Sequence, residues 1–162
     1  AVSLDVPGHG RLRVRIPPGA DDCTRIRLAG KGEPGHGEAP AGDLVLTLRV
    51  RPHPLYRRDG ADLSYELPVT VPELVLGGEV EVPTPDGVVT MTVPPGSPNG
   101  RKLRLRGKGA TKRGTTERGD LYVTLVAALP ERTEALERIA EELRPLYDGR
   151  DVRKGVREAG QR

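Results

Sequence analysis

The sequence predicts a mainly β protein: two tandem small β-sandwich-like domains followed by a C-terminal α-helix. Three observations predict it. The chain repeats itself, because Val14–Leu48 aligns without a gap on Met91–Leu125 at a constant offset of 77 residues. Within and around both copies, apolar residues alternate with polar ones at period two, and glycine and proline punctuate the runs. After Val126 the period changes: Leu136, Ile139, Ala140 and Leu143 follow the i, i+3, i+4, i+7 spacing of one helix face. A long internal repeat points to two copies of one small domain in an elongated chain, and to a function shared by similar surfaces.

The elements follow in order. Val2, Leu4 and Val6 alternate with Ser3 and Asp5 as a half-buried strand does, a polar turn follows at Pro7–Gly10, and Leu12, Val14 and Ile16 alternate with Arg11, Arg13 and Arg15. The result is a hairpin with one arginine face, stopped by Pro17-Pro18-Gly19. Ile26 and Leu28 mark a short strand, Gly30–Gly42 a loop, and Leu44, Leu46 and Leu48 another strand. His53-Pro54-Leu55-Tyr56-Arg57-Arg58-Asp59-Gly60 lies in a connector turned by Asp-Gly. In the second copy Leu63, Tyr65, Leu67, Val69 and Val71 read as strand, with Pro68 arguing for an edge or a bend. A short helical turn follows at Pro72–Gly78, and Val80 and Val82 are taken as the counterparts of Leu4 and Val6. Asp62–Gly78 has no equivalent ahead of the first copy, and the expectation is that the first copy is truncated. Glu131 and Glu134 open the C-terminal helix, where its dipole favours negative charge, and Pro145 and Gly149 bound its end. The charged, aperiodic residues after Asp148 read as a mobile tail.

Composition narrows the function. Only 35% of the residues are apolar, with no Phe or Trp and four Tyr, so each copy has a thin aliphatic core. The net charge of +3 comes with five Lys against twenty-one Arg, and no basic run interleaves with aromatics as a nucleic-acid surface would. The single cysteine, Cys23, allows no intrachain disulfide and fits a reducing compartment. No segment has the length and polarity of a signal peptide or membrane span, so a cytoplasmic protein is expected.

The search for chemistry is mostly negative. Gly30-Lys31-Gly32-Glu33-Pro34-Gly35 matches a dinucleotide fingerprint, yet Pro34 does not open a helix and the second copy breaks the pattern at Ala110-Thr111-Lys112. His9, His36, His53 and Cys23 have no metal-ligand spacing, so no metal or other cofactor is expected, and Cys23 aligns with Gly100 in a turn. Asp43 and Asp120 recur in Gly-Asp-Leu at a strand entrance, where a carboxylate bonds backbone amides more readily than it moves protons. The expectation is a binding protein and no enzyme. A small sheet must have edges, and an edge with apolar side chains beside it takes up an extended peptide. Leu4, Val6 and Leu46 either line such a groove or are simply core.

Several strings carry a family resemblance. They are Val14-Arg15-Ile16-Pro17-Pro18-Gly19, Arg25–Gly32, Gly42-Asp43-Leu44, His53–Leu63, Leu67-Pro68-Val69, Pro83–Gly87 and Leu103–Gly109. In this order they closely resemble the C-terminal region of DnaJ-type J-domain co-chaperones, over roughly residues 1 to 130. His53-Pro54 is followed by Leu55, so it is not the His-Pro-Asp of a J-domain, and the Cys-rich zinc repeats are absent, as in the subclass without the zinc module. The resemblance implies a first substrate-binding domain over 1–57, N-terminally truncated, a second over 58–130, a dimerisation helix over 131–148 and a charged flexible tail over 149–162. It implies a client groove lined by Leu4, Val6 and Leu46, with Val2 replacing Val6 if the hairpin is shifted by one residue, and a homodimer through Leu136, Ile139, Leu143, Leu146 and Tyr147. Aliphatics stand where the family often has aromatics, which implies a shallower pocket. The implied work is holding unfolded, apolar segments for a DnaK-type ATPase chaperone. A basic β protein binding nucleic acid is the rival of a different class, and intramolecular docking of the helix is the rival to the dimer.

Overall fold

The computed structural model describes residues 2–35 and 40–160. The chain divides into two compact units, residues 1–127 and 128–162. In the first unit, β1 (Val2–Val6) and β2 (Gly10–Val14) form an antiparallel hairpin, and β3 (Arg25–Leu28) pairs with β4 (Leu44–Thr47) in a second one. The second copy of the repeat is larger. It contains β5 (Arg57–Asp59), β6 (Asp62–Thr70), α1 (Val71–Leu76), the hairpin of β7 (Gly78–Thr84) and β8 (Gly87–Val93), then β9 (Lys102–Leu105) and β10 (Leu121–Ala128). Its main sheet has the order β5-β6-β10-β9. The fold is mainly β, as the alternation predicts.

The two copies share a framework of hydrogen bonds at the 77-residue offset. The Cys23 amide donates to the Leu48 carbonyl at 2.9 Å, as Gly100 donates to Leu125 at 2.8 Å. Both turn residues have positive φ, 61° at Cys23 and 82° at Gly100. Cys23 thus holds a conformation that glycine adopts without strain. The side chains of Asp22 and Asn99 each accept an amide hydrogen, from Val50 and Ala127, both at 2.8 Å.

The recurrent Gly-Asp-Leu aspartates do what their position implies. Asp43 Oδ1 accepts from the Gly30 amide at 2.9 Å and Asp120 Oδ1 from Gly107 at 2.8 Å, while their Oδ2 atoms accept from Arg27 and Arg104. Each carboxylate closes the loop between its two strands. The backbone amide at Gly30 or Gly107, and secondarily the arginine, holds each carboxyl below the usual aspartate range.

The core belongs to the second copy. Leu121, Val123 and Leu125 of β10 meet Leu63, Tyr65 and Val69 of β6, Val82 of β7, Met91 and Val93 of β8, and Leu74 of α1. Pro68 sits in β6 beyond Ser64, past the last β6 residue that β5 pairs with, so its missing donor costs no bond on that side. Thr70 and Glu73 form a capping box for α1, with the Thr70 amide donating to Glu73 Oε2 at 2.7 Å. The amide of Ser97 then bonds the Leu74 carbonyl at 2.9 Å, which ties the second Pro-Pro-Gly turn onto α1.

The first Pro-Pro-Gly turn meets the second copy instead. A Cβ at Gly19 would stand 2.6 Å from the Thr111 carbonyl, and the φ of 73° is one that residues with side chains rarely adopt. Arg58 donates to the carbonyls of Gly19 and Ala20 at 3.3 and 3.2 Å and to Asp21 Oδ1 at 2.8 Å. The connector is fixed by Tyr56, whose ring stands edge-on to Tyr65 at 5.6 Å, with the His53 ring tilted against it at 4.8 Å.

The second unit holds α2 (Glu134–Leu143), a 3-10 turn at Arg144–Tyr147 and α3 (Lys154–Ala159). Thr133 caps α2 by accepting from the Leu136 amide at 3.2 Å, so Glu134 and Glu137 occupy the first turn and Glu131 precedes the helix. In the segment after Asp148, expected to be a mobile tail, α3 is helical over six residues despite Gly155, with Asp151 paired to Arg157. An apolar-period search misses this helix because it has no apolar stripe.

The aspartate clamps give a pH prediction. A carboxyl whose folded-state pKa is lowered stabilises the fold fully above the unfolded value near pH 3.9, and that contribution is lost as pH falls through the lower folded value. The urea midpoint of the chain should therefore drop as pH is taken from 5 to 3. Asp120→Asn should lower the midpoint at pH 7 and flatten that drop; an unchanged acid slope in the variant would contradict the clamp.

Candidate functional site

The site residues implied for peptide binding fall on the inner faces of the first copy's two hairpins. Val2, Leu4 and Val6 stand opposite Val14, Leu12 and Gly10, and Leu46 stands opposite Ile26. Leu4, Val6 and Leu46 are half-buried, and Val2 is 43% exposed.

The register corrects one equivalence. Leu12 is the counterpart of Val89, and Val89 pairs with Val82, so Leu4 corresponds to Val82 and Val2 to Val80. Val80 and Val82 are therefore not the counterparts of Leu4 and Val6. The reason is turn length: Val6 and Gly10 enclose three residues, Pro7-Gly8-His9, whereas Thr84 and Gly87 enclose two, Pro85-Asp86. Leu46 corresponds to Val123 at the constant offset.

The second copy shows what these positions do when covered. Val82 and Val123 are both 0% exposed and belong to one buried cluster. The repeat therefore turns Leu4 and Leu46 toward one interior. The cover in the second copy comes from β6, paired to the edge of β10, and from Leu74 on α1. Among the described residues the first copy has no counterpart of either, and β4 pairs only with β3. Leu44 and Leu48 are half-buried where their counterparts Leu121 and Leu125 are 0% exposed, whereas Ile26 and Leu28 are half-buried like their counterparts Leu103 and Leu105; Val14, at 4%, is the one described apolar side chain of the first copy that is fully buried.

The hairpin is anchored at its tip by His9, whose Nε2 lies 2.8 Å from the Gly32 carbonyl. The Cys23 thiol is exposed beside Asp22, which pushes its pKa up, away from a reactive thiolate. Among the described residues no group of three His, Cys, Asp or Glu is placed to hold a metal ion; His36 lies outside them. The dinucleotide-like glycines form the loop between β3 and β4, as their failure to open a helix implies.

Sequence reasoning missed a cleft of about 1060 Å³ between the connector and the main sheet of the second copy. Leu55, Tyr56 and Tyr65 line it together with Glu66 and Lys102. Burial pushes the Tyr65 phenol up to about 12, and its hydroxyl donates to the Pro83 carbonyl at 3.2 Å. The only signal for this cleft in the sequence is the proline-bounded connector.

In the second unit, Leu136, Ile139 and Leu143 lie on one face of α2 at helical spacing, and Leu146 and Tyr147 follow in the 3-10 turn. Leu136 is half-buried; Ile139, Leu143, Leu146 and Tyr147 are exposed, Ile139 at 53%. Among the described residues no helix is long and apolar enough to cross a membrane.

The two β units, each closed by a Gly-Asp clamp, are two copies of one β module in tandem. The family model described as DnaJ C terminal domain matches residues 5–130, and the chain belongs to that family. It is 45% identical to the chaperone protein DnaJ of Neisseria meningitidis over 139 residues, 85% of this chain and 37% of the relative. It is 48% identical to chaperone protein DnaJ 1 of Streptomyces avermitilis over 144 residues, 88% of this chain and 36% of that protein. It is 51% identical to chaperone protein DnaJ 2 of Nocardia farcinica over 135 residues, 80% of this chain and 35% of that protein. The chain spans a little over a third of the length of these curated relatives, and it is the C-terminal domain region of a DnaJ-type co-chaperone.

Proposed function

We propose that this chain binds extended, apolar segments of unfolded polypeptides and holds them for transfer to a DnaK-type ATPase chaperone in the cytoplasm, with no chemistry of its own. The observation that supports this best is the first copy's inner face, where Leu4 and Val6 of β1 and Leu46 of β4 stand half-buried on a chain that belongs to the DnaJ C-terminal domain family. An extended segment laid along this face gains backbone hydrogen bonds regardless of its sequence, and its alternate side chains meet Leu46 and the residues of β1. Aliphatic walls without aromatics give loose, shape-tolerant selection, which suits many clients. In this reading residues 1–57 form the client domain, with Val2, Leu4, Val6 and Leu46 lining the groove, and 58–130 form a second, supporting domain.

The same reading makes residues 131–148 a dimerisation helix. The apolar face of Leu136, Ile139 and Leu143, continued by Leu146 and Tyr147, suits pairing about a two-fold axis with a second copy. Two linked grooves would raise the effective affinity for a long client without any new contact.

Client binding is tested by fluorescence anisotropy with a labelled Leu-rich heptapeptide. Leu4→Ser and Leu46→Ser should each weaken it, and the pair by about tenfold, as the loss of two partly buried leucine contacts implies, with thermal melting of the second copy unchanged. Unaltered affinity in the double variant overturns the groove. The dimer is tested by light scattering: the parent should have twice the chain mass, and Leu136→Asp with Leu143→Asp should halve it. A parent already monomeric at micromolar concentration overturns the helix assignment.

A further inference from the structure

We propose that Arg58 is a latch between the two copies. It holds the turn after β2 of the first copy against the second and keeps the pair at one angle, and its release lets them hinge about Arg51 and Pro52. The inference goes beyond the client-binding reading and stands without it. The covalent link between the copies is short. The Val50 amide is held by Asp22 of the first copy at 2.8 Å. His53 accepts from the amides of Leu55 and Tyr56 at 3.1 and 3.3 Å and lies against the Tyr56 ring, which packs on Tyr65 of the second copy. Only Arg51 and Pro52 lie between these anchors, and both are exposed. The space beside them is open: the cleft of about 1060 Å³ has Asp21 and Asp22 on its first-copy side and Ser64, Glu66 and Lys102 on its second-copy side. Modules joined by a short linker without a large apolar interface move against each other by default. What holds these two must therefore be polar or steric.

Arg58 supplies the polar link. Its Nε donates to the Gly60 carbonyl at 2.7 Å, which fixes the side chain on its own turn, and its terminal nitrogens reach across to Gly19, Ala20 and Asp21. A planar guanidinium can serve four acceptors at once in this way, whereas an ammonium presents a single nitrogen. Gly19 supplies the steric link. Backbone meets backbone there, since a Cβ would stand 2.6 Å from the Thr111 carbonyl and 2.8 Å from the Arg113 Cα. Thr111 and Arg113 belong to the loop between β9 and β10, which is stiffened by the Thr111–Arg118 bridge and the Lys112–Glu117 ion pair. This contact is not a property of the turn itself. At the repeat-related Gly96, φ is a similar 69°, yet a Cβ would meet nothing within 4 Å beyond its chain neighbours. The latched turn also leads into β4: the Asp21 amide donates to Thr24 Oγ1 at 3.0 Å, and the Thr24 carbonyl accepts from the Leu48 amide at 2.9 Å. If clients bind the first copy, the latch fixes the spacing at which a long one meets both copies.

The test measures the distance between the copies in the whole 162-residue chain. Nitroxide labels on Ser3→Cys of β1 and Thr92→Cys of β8, both exposed positions, are read by pulsed electron paramagnetic resonance. The background carries Cys23→Gly, which installs the residue found at Gly100. The parent should give one narrow distance distribution. Arg58→Ala should make it about twice as wide, and Arg58→Lys, which keeps the charge without the fork, should stay wide. Arg57→Ala, beside it on β5, should match the parent. Gly19→Ala should widen the distribution through its clash with Thr111, while Gly96→Ala, with the same positive-φ strain and no clash, should not. That glycine pair decides the question should Arg58→Ala fail to fold. A parent that is already broad, or Arg58→Ala and Gly19→Ala chains as narrow as the parent, overturns the latch. Failure of the parent to bind the Leu-rich heptapeptide overturns the client reading alone.

Discussion

An aliphatic strand face must be covered, and the second copy of this repeat shows that cover in full. Burial of apolar surface contributes roughly 25 cal/mol per Å², so the layer of β6 and α1 over β10 concentrates stability in the second copy. Val82, Val93, Leu121, Val123 and Leu125 lose all contact with water there. The first copy has the same inward residues on the same strands and lacks that layer among the described residues. Its leucines stop at half-burial, and the edge of β4 stays unpaired. Leu4 and Leu46 stand at the positions of Val82 and Val123, so the face proposed to receive an extended chain is the one that the second copy packs as core.

Everything around that face is held firmly. Asp43 and Asp120 close the same loop in both copies, and Arg58 fixes the turn after β2 to the second copy through three acceptors. The outer edges carry charge where aggregation would otherwise start: Arg25 and Lys102 stand at equivalent positions on β3 and β9, which end their sheets. Charge is thus placed on edges that must not pair, and β4, whose residues facing solvent are Val45 and Thr47, lacks it.

Much of this was legible in the residues. Period-two alternation identifies both strands of the first hairpin, and the ungapped offset brings Cys23 onto Gly100 and Asp43 onto Asp120 before any coordinates exist. The turn around His9 hides the equivalence from the sequence because one extra residue in a hairpin loop shifts the whole partner strand, and Leu4 then falls on Val82 instead of Val80. The offset also pairs Leu46 with Val123, a core residue, and whether Leu46 itself is core depends on a covering strand that its own sequence cannot report. Arg58 and the cleft beside Tyr56 escaped notice because contacts between copies leave no periodicity, and α3 because it is helical without an apolar stripe.

The central claim is that the first copy's open face is where clients dock, and amide hydrogen exchange tests it most directly. Without peptide, β4 should exchange much faster than β10, its equivalent in the repeat. On saturation with the Leu-rich heptapeptide, protection should rise at Leu44–Thr47 and Val2–Val6, with β10 unchanged. Protection that appears instead on the second copy, or β4 amides already as slow as those of β10, would contradict the account.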